Sequence, residues 1–404
     1  MKLRFPAALA SALISFALNA QTPVNTAYAI TSEQIGTQQW TEVKQIDLST
    51  GNVSGSVFES SKGQYNVFDG RSGKQLTLKA NDSTAENKRP FGGLSAACAY
   101  DSKSNRLYFA PIFINQLRYI DLGAKVPSVY IFQNETLSNA RDPDVEANQM
   151  TRMVIAGDGN GYALNNDGSH LVRFTTGKMP VVADLGALTD APGNDSVSIS
   201  DPNTSWGGDM VADAGGNLYL VTSHNLVFKI NIQTHVATFI AKIKGVSEGY
   251  TTNGTVVDGE GKLILSSASS ITGYYKVDPA RWEATIIPSD ANVYNTSDLA
   301  NENLLFRTQL ATVKEDMPEN VSVYPNPVKT NAFKVTFTNK NSGDYNVQLV
   351  DIAGRMVSDK MVSIYSSGQV AEVKIDPAMT KGLYFVKVLS QENKEIYSRK
   401  IIVE

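Results

Sequence analysis

The stretch Met210-Val211-Ala212-Asp213-Ala214-Gly215-Gly216-Asn217-Leu218-Tyr219-Leu220 contains the pattern that decides the fold of the first 310 residues. Two short apolar runs flank an Asp and a Gly-Gly-Asn turn, which is typical of a tight β-hairpin. A third apolar run follows at residues 227–230. One such unit predicts a sheet of about four short antiparallel strands.

Three further copies of this unit begin at Ala97, Met153 and Thr255. The last apolar residues of the four third strands, Ile120, Phe174, Ile230 and Val277, are 54, 56 and 47 residues apart. Steps of this size are typical of propeller blades. Because one small sheet cannot cover both of its faces, radial stacking of the units is expected, and the sequence predicts an all-β propeller.

Incomplete units stand at both ends of this region. Residues 40–58 resemble the third and fourth strands of a blade, and residues 298–306 resemble a first and second strand. Together they would complete one blade and leave no exposed sheet edge. The hairpin at residues 64–79 would then belong to a degenerate sixth blade, so the count is five or six. A multi-sheet sandwich is the competing interpretation, and it explains the two partial units poorly.

The N-terminus has the features of an export signal. Lys2 and Arg4 precede an apolar stretch over residues 5–18, which is too short for a permanent transmembrane helix. We expect a signal peptide over residues 1–20, cleaved after Ala20 to leave Gln21 first; Ala27-Tyr28-Ala29 is an alternative cleavage motif. No later segment approaches the roughly 20 apolar residues of a membrane span. The net charge of −4, without long runs of one sign, argues against a nucleic-acid partner.

The C-terminal part of the chain differs in composition. Residues 311–320 lack apolar periodicity and predict a linker, and residues 321–404 contain alternating segments that predict a small Ig-like antiparallel β-sandwich. Ordered motifs punctuate it: Val323-Tyr324-Pro325-Asn326-Pro327, Asp351-Ile352-Ala353-Gly354-Arg355, Gly382-Leu383-Tyr384-Phe385-Val386 and Lys400-Ile401-Ile402-Val403.

These motifs strongly resemble the C-terminal sorting domain of the type IX secretion system of Gram-negative bacteria. The motif positions carried over are Tyr324, Pro325, Asn326, Pro327, Gly354, Gly382 and Tyr384. The resemblance implies export across both membranes, contact with the type IX machinery, and either release or attachment to surface lipopolysaccharide. An accessory sandwich that binds carbohydrate is the alternative. The first region is similar to propeller-type proteins that precede such domains, a likeness that brings no activity with it.

Few residues suggest catalysis. Cys98 is the only cysteine and lies in an apolar run, where a buried thiol is the ordinary interpretation. The chain has three histidines and neither an HExxH motif nor a Gly-x-Ser-x-Gly elbow, so we assign no catalytic residue. The Gly-rich pieces at residues 157–161 and 258–261 offer oxygen ligands for calcium, but their place in the repeat favours hairpin turns.

Polar residues at the starts of the predicted innermost strands are the candidate ligand-binding set. They are Arg152, Asp209, Asn253 and Asp298, with Trp206 just ahead of Asp209. Propeller ligands commonly bind at a channel mouth to which every blade contributes. By residue type alone, Asp209, Asn253 and Asp298 are similar to the divalent-metal ligands of gluconolactonase-like propellers. The same residues would equally cap backbone amides, and Trp206 would equally wedge two blades apart.

Two functions follow from these expectations. The favoured one is a secreted or cell-surface binding module, without a cofactor, for a glycan, a peptide or another surface protein. The alternative is a lactonase- or esterase-like hydrolase, in which a divalent metal such as calcium, held by Asp209, Asn253 and Asp298, activates water.

Overall fold

A computed structural model of the chain describes residues 24–77, 88–306, 321–338, 343–351, 356–365, 369–376, 379–390 and 395–404. The expected signal peptide with its cleavage site at Ala20 and Gln21, the linker at residues 311–320 and Gly354 of the sorting motif lie outside the described residues. The chain divides into two compact units, residues 1–310 and residues 311–404.

Over its described residues the first unit is all-β, with 22 strands. The first eight are β1 (Thr26–Thr31), β2 (Glu42–Asp47), β3 (Val53–Glu59), β4 (Asn66–Asp69), β5 (Ser95–Asp101), β6 (Arg106–Pro111), β7 (Arg118–Asp121) and β8 (Ser128–Ile131). The next nine are β9 (Met150–Ile155), β10 (Asn160–Asn165), β11 (Leu171–Thr175), β12 (Val182–Asp184), β13 (Thr189–Asp190), β14 (Asp209–Ala212), β15 (Asn217–Val221), β16 (Leu226–Asn231) and β17 (Val236–Lys242). The last five are β18 (Gly254–Val257), β19 (Leu263–Ser266), β20 (Tyr275–Asp278), β21 (Glu283–Ile286) and β22 (Thr296–Ala300). Short 3₁₀ turns span Ser60–Lys62, Glu146–Asn148 and Pro192–Asn194.

These strands form five sheets, which we number as blades from the N-terminus. From the inside outward, blade 1 is β22-β1-β2-β3, blade 2 is β5-β6-β7-β8-β4, blade 3 is β9-β10-β11-β12, blade 4 is β14-β15-β16-β17-β13 and blade 5 is β18-β19-β20-β21. The innermost strands contact one another in the cyclic order β22, β5, β9, β14, β18 and back to β22. The unit is therefore a closed β-propeller, as the repeat predicts, and it has five blades.

Each gap between neighbouring blades holds its own apolar cluster. Along an inner strand, alternate side chains enter opposite gaps: Cys98 packs with Ile30 and Phe58 of blade 1, whereas Ala97 and Ala99 pack toward blade 3. The other three gaps are filled in the same way. Both faces of every sheet are thus covered by neighbours, which is the reason that such short strands are stable.

Blade 1 is composite, but its division differs from the expected one. The C-terminal part of the propeller supplies only β22, and the N-terminal part supplies three strands, because β1 lies between β22 and β2 with Tyr28 opposite Ala300. The expectation of two strands from each end was therefore wrong. Ala27 and Ala29 are buried in β1, so cleavage after Ala29 would remove part of a blade.

The expected hairpin at residues 64–79 does not form a sixth blade. Its strand β4 pairs in parallel with β8, with Val67 opposite Val129, and so becomes the outer edge of blade 2. Phe68 forms a single bridge with Gln75, which closes a short turn over this edge.

The second unit contains seven strands: β23 (Val321–Tyr324), β24 (Ala332–Phe337), β25 (Gly343–Asp351), β26 (Met356–Ile364), β27 (Gln369–Lys374), β28 (Gly382–Leu389) and β29 (Glu395–Val403). They form one sheet in the order β23-β24-β27 and another in the order β26-β25-β28-β29. Residues of both sheets, among them Phe333, Val347 and Val386, share one core, which makes the unit an antiparallel sandwich.

The Tyr-Pro-Asn-Pro motif contacts the last strand of this sandwich. The Asn326 side-chain amide donates to the carbonyl oxygen of Lys400 at 3.0 Å, and its Oδ1 accepts from the backbone N–H of Ile402 at 2.9 Å. Tyr384 is buried, and its hydroxyl donates to the carbonyl oxygen of Thr380 at 2.7 Å. The motif residues therefore have structural contacts within the sandwich.

We predict that Gly208→Ala destabilises the propeller far more than Gly216→Ala. Both glycines have a φ of +85°, but a Cβ on Gly208 would lie 1.9 Å from the Val221 carbonyl oxygen, whereas a Cβ on Gly216 meets nothing within 4 Å. Left-handed backbone alone costs a non-glycine residue about 1–2 kcal/mol, and the overlap adds about 1–3 kcal/mol at Gly208. Chemical denaturation of both variants measures the difference; equal losses would contradict this account.

Candidate binding site at the channel mouth

The five innermost strands run in the same direction and begin at one end of the propeller, which we call the channel mouth. Asp209 is the first residue of β14, and Asp298 lies in β22 close to its start at Thr296. The hairpin turns and lead-in loops that contain Trp206, Ser223 and Asn253 lie at the same end, because Val221 pairs with Asp209 and Ser266 pairs with Gly254.

Asp209 and Asp298 are completely buried and hydrogen-bonded to each other. Asp209 on blade 4 accepts from the backbone N–H of Thr255 on blade 5 at 2.7 Å and from that of Met153 on blade 3. Asp298 on blade 1 accepts from the backbone N–H of Cys98 on blade 2 at 2.6 Å. The two carboxyl groups, which we call the axial pair, therefore connect the inner strands of all five blades.

Burial and mutual repulsion determine the protonation of the axial pair. Burial raises the pKa of Asp209 above its ordinary value. For Asp298, burial together with the neighbouring Asp209 charge raises the pKa well above its ordinary value. Two carboxylates in hydrogen-bond contact cannot both ionise cheaply. Asp298 accordingly holds a proton and donates it to Asp209.

Arg152 is also fully buried, beneath the lead-in loop of blade 4. Its guanidinium donates to the carbonyl oxygens of Ser205 at 2.7 Å and Gly207 at 3.0 Å, and to those of Asn165 and Asn166 in its own blade. Burial lowers the pKa of Arg152 to about 9, so the side chain stays charged at neutral pH. It joins blade 3 to blade 4, and its donors are occupied by the backbone.

Trp206 and Asn253 are only half-buried. The Trp206 indole N–H donates to the carbonyl oxygen of Ser200 at 3.0 Å, which fixes the ring in the loop before β14. The Asn253 Oδ1 accepts from the backbone N–H of Ala268 at 3.0 Å. Of the five residues that the sequence singles out, these two reach the surface, and the three charged ones lie beneath it.

The sequence interpretation missed the hydroxyl groups beside these two residues. Ser223 donates to the Trp206 carbonyl oxygen at 2.7 Å, and its own carbonyl oxygen accepts from the backbone N–H of Thr252 at 3.1 Å. Thr251 is within hydrogen-bond distance of Asn253, Ser267 and Ser269. Blades 4 and 5 thus share a continuous polar surface, which we call the mouth surface. The run Ser266-Ser267-Ala268-Ser269-Ser270 was the available signal in the sequence.

A metal at Asp209, Asn253 and Asp298 would require rearrangement. All four oxygens of the axial pair accept backbone N–H groups, since Met210 and Leu299 also donate to them at 2.6 Å each. The Asn253 oxygen is bonded to Ala268 instead of facing the pair. Within the described residues, no group of three or more His, Cys, Asp or Glu side chains is placed to hold a metal ion.

The interior of the channel is packed. A cavity lined by inner-strand residues, among them Met153, Met210 and Leu299, has a volume of only about 10 Å³, which leaves room for no more than a single water. Cys98 is buried beside this axis, and burial raises the pKa of its thiol well above the ordinary value, so the thiolate is disfavoured.

The two Gly-rich pieces are hairpin turns. Asp158 accepts from the backbone N–H of Asn160 at 2.9 Å, and Asp258 accepts from those of Glu260 and Lys262 at 2.8 Å each. Each carboxylate thereby stabilises its own turn.

Comparison with known families identifies the second unit. Residues 322–404 match the family described as the Secretion system C-terminal sorting domain. The sandwich is a type IX sorting domain. It directs this protein out of the cell, to the surface or the medium, and implies contact with the type IX machinery. No helix in the described ranges has the length and apolar character to cross a membrane.

The propeller is similar to several solved structures. PorZ, a surface component of the type IX system of Porphyromonas gingivalis, is 15% identical, with 92% of this chain and 51% of PorZ covered and a TM-score of 0.33. A putative 6-phosphogluconolactonase from Bacteroides uniformis is 14% identical over 86% of this chain and 99% of its own, with a TM-score of 0.35. Virginiamycin B lyase from Staphylococcus aureus is 12% identical over 76% and 83%, with a TM-score of 0.28.

This chain spans about half the length of the first two structures that it matches. No curated protein matches it. At these identities the likeness concerns the fold alone.

We predict that the contribution of the axial pair to the stability of the propeller falls as the pH rises from about 4 toward 7. The folded axial pair holds a proton that an unfolded Asp, with a pKa of 3.8, releases, so the free energy of unfolding falls by up to about 1.4 kcal/mol per pH unit. Asp298→Asn keeps a donor toward Asp209 but cannot lose a proton, so it should reduce the dependence of the free energy of unfolding on pH. Asp298→Ala leaves two buried N–H groups without an acceptor, at about 1–3 kcal/mol each.

Denaturant titrations at several pH values test this expectation, with Asp201→Asn as the control. Asp201 is an aspartate near the mouth outside the axial pair, and its variant should keep the slope of the wild type. A wild-type slope equal to that of Asp298→Asn would contradict the shared proton.

Proposed function

We propose that this protein is a surface-exposed or released binding module whose propeller recognises a glycan or a surface protein through the mouth surface. One observation carries the proposal. The charged candidates Arg152, Asp209 and Asp298 are buried and bonded to the backbone, whereas Trp206 and the amide and hydroxyl groups around it remain at the surface.

The chemistry of the mouth surface suits such ligands. An indole ring offers a flat apolar face and is enriched at interfaces. The hydroxyl groups of Ser223, Thr251 and Ser269 both donate and accept, as the hydroxyl groups of a sugar or the backbone of a peptide require. A ligand would rest on this surface, because the packed channel interior offers it no volume.

The alternative is a metal-assisted hydrolase of the lactonase or esterase type. In it, Asp209, Asn253 and Asp298 would hold a divalent cation such as calcium, which supplies a Lewis acid for water activation. Such a cation would have to replace the amide bonds of the axial pair. The binding module requires no such change, and we favour it for that reason.

Export would begin with the expected leader at residues 1–20. Cleavage after Ala20 leaves β1 intact, which supports this site over the one at Ala29. After passage through the outer membrane, the chain would be attached to lipopolysaccharide or released.

We predict that removal of residues 322–404 stops export. In a bacterium with a type IX system, the truncated chain should accumulate inside the outer membrane, while the full chain reaches the surface or the medium. Immunoblots of periplasm, washed cells and medium separate these outcomes, and the cell-bound fraction distinguishes anchoring from release. The control is Gly216→Ala, which alters an open turn of the propeller. Normal export of the truncated chain would contradict the role of the tail.

We predict that Trp206→Ala weakens ligand binding by about tenfold or more, as expected for an aromatic residue at the centre of a binding site. The full chain is applied to arrays of bacterial glycans and of outer-membrane proteins. Trp282→Ala is the matched control, because Trp282 is also half-buried but lies in the turn between β20 and β21, at the opposite end of the propeller.

Equal effects of the two tryptophan variants would contradict a site at the mouth. Mass spectrometry of metal bound to the purified chain distinguishes the hydrolase from the binding module. About one divalent metal per chain, lost in an Asp209→Ala/Asp298→Ala variant, would favour the hydrolase.

A further inference from the structure

A larger cavity lies between blades 1 and 2 at the end of the propeller opposite the mouth. Its volume is about 240 Å³. The lining includes Tyr28 and Gln45 of blade 1 and Asn105 and Asp121 in the turns of blade 2. These turns join β5 to β6 and β7 to β8, at the far ends of strands that begin or finish at the mouth. We call this space the inter-blade cavity.

The inter-blade cavity has one apolar wall and one polar wall. Val57, Ile120 and Leu122 supply aliphatic surface. The Tyr28 ring lies 4.7 Å from the ring of Tyr100, and the Tyr100 hydroxyl donates to Asn105 Oδ1 at 3.2 Å.

The two amide groups on the polar wall are largely unoccupied. Gln45 has a single weak contact, from its Nε2 to the Thr26 hydroxyl at 3.4 Å. Among the hydrogen bonds of the described residues, none uses the Asn105 side-chain N–H₂ group. Both amides can therefore bond to a ligand.

The charges around the inter-blade cavity select against anions. Its lining contains a carboxylate, Asp121, and neither a lysine nor an arginine. Burial and the neighbouring Tyr28 raise the pKa of Tyr100, and the negative charges of Glu302 and Asp101 add to the effect. A phosphate or carboxylate ligand would meet repulsion from the Asp121 carboxylate in this lining.

The volume sets how much of a ligand the inter-blade cavity can hold. At about 30 Å³ for each water in the liquid, the inter-blade cavity corresponds to roughly eight waters. It is smaller than the about 300–1,000 Å³ of pockets for drug-sized ligands. A single six-membered ring with its substituents is the appropriate size.

We propose that the inter-blade cavity is a second binding site, which takes one neutral, hydroxyl-rich ring such as a monosaccharide unit. The amides of Gln45 and Asn105 bond to its hydroxyl groups, and the tyrosine pair and aliphatic wall contact its apolar face. This site is separate from the mouth surface, so it does not depend on the function proposed there.

Saturation-transfer NMR on the full chain tests the site. The probes are glucose, galactose and mannose with their methyl glycosides, together with anionic glucuronate. We expect at least one neutral sugar to bind with a dissociation constant of about 1 mM, which corresponds to about −4 kcal/mol. Binding of the methyl glycoside identifies the terminal unit of a glycan as the source, and binding of the free sugar alone identifies a monosaccharide.

Two matched pairs of variants locate the binding. Val57→Phe fills the inter-blade cavity and should abolish binding, whereas Val53→Phe, at an exposed position on the same strand, should not. Asn105→Gly removes the amide and tolerates the φ of +50°, and it should weaken binding about fivefold, as expected for one hydrogen bond. Asn134→Gly, at an exposed position with a φ of +64°, is its control.

Three results would overturn the proposal. They are the absence of a signal from every neutral sugar, glucuronate binding as tightly as the best neutral sugar, and binding that survives Val57→Phe in a variant with wild-type thermal stability. A signal that Val57→Phe leaves intact but Trp206→Ala removes would assign the sugar to the mouth surface instead.

Discussion

The axial pair is the interaction on which the propeller depends. A ring of five sheets has to bring five inner strands together at one axis, where backbone N–H groups are shielded from water. An unsatisfied buried N–H costs about 1–3 kcal/mol, and the axial pair supplies acceptors to strands of blades 2, 3 and 5 from its positions on blades 4 and 1. One proton between the two carboxyls removes most of their repulsion. The same burial that makes the pair structurally effective withdraws it from solvent, so the strongest polar groups at the mouth are unavailable to a ligand on the surface.

Most of the fold could be predicted from the sequence because the repeat is local. A strand and a turn can be recognised within about a dozen residues, from a hairpin turn such as Asp258-Gly259-Glu260-Gly261 and the apolar runs beside it. Radial stacking is then expected from the number of such units. The exact composition of blade 1 could not be predicted, because Ala27-Tyr28-Ala29 resembles a cleavage motif as closely as it resembles a strand. The role of β4 could not be predicted either, since a strand that pairs in parallel with β8 has the same sequence pattern as a strand of an antiparallel hairpin.

The candidate site was harder to predict for a different reason. A polar residue at the start of an inner strand is equally suited to bind a ligand or to bond to the neighbouring blade, and only the distances decide. The sequence places Arg152 at the start of an inner strand, but its partners at Ser205 and Gly207 belong to another blade. The inter-blade cavity combines Tyr28 of blade 1 with Asn105 and Asp121 of blade 2. The spacing of these residues along the chain does not predict that they lie together.

The composite blade also has a consequence for the order of events during export. β1 gains its inner neighbour only when Tyr28 pairs with Ala300, so the ring cannot close before β22 is available. Contacts between such distant residues form slowly. Blade 1 is thus the last blade to be completed, because it needs strands from both ends of the propeller region. A chain interrupted before β22 would present the open edge of β1, which quality-control proteases and aggregation can both exploit.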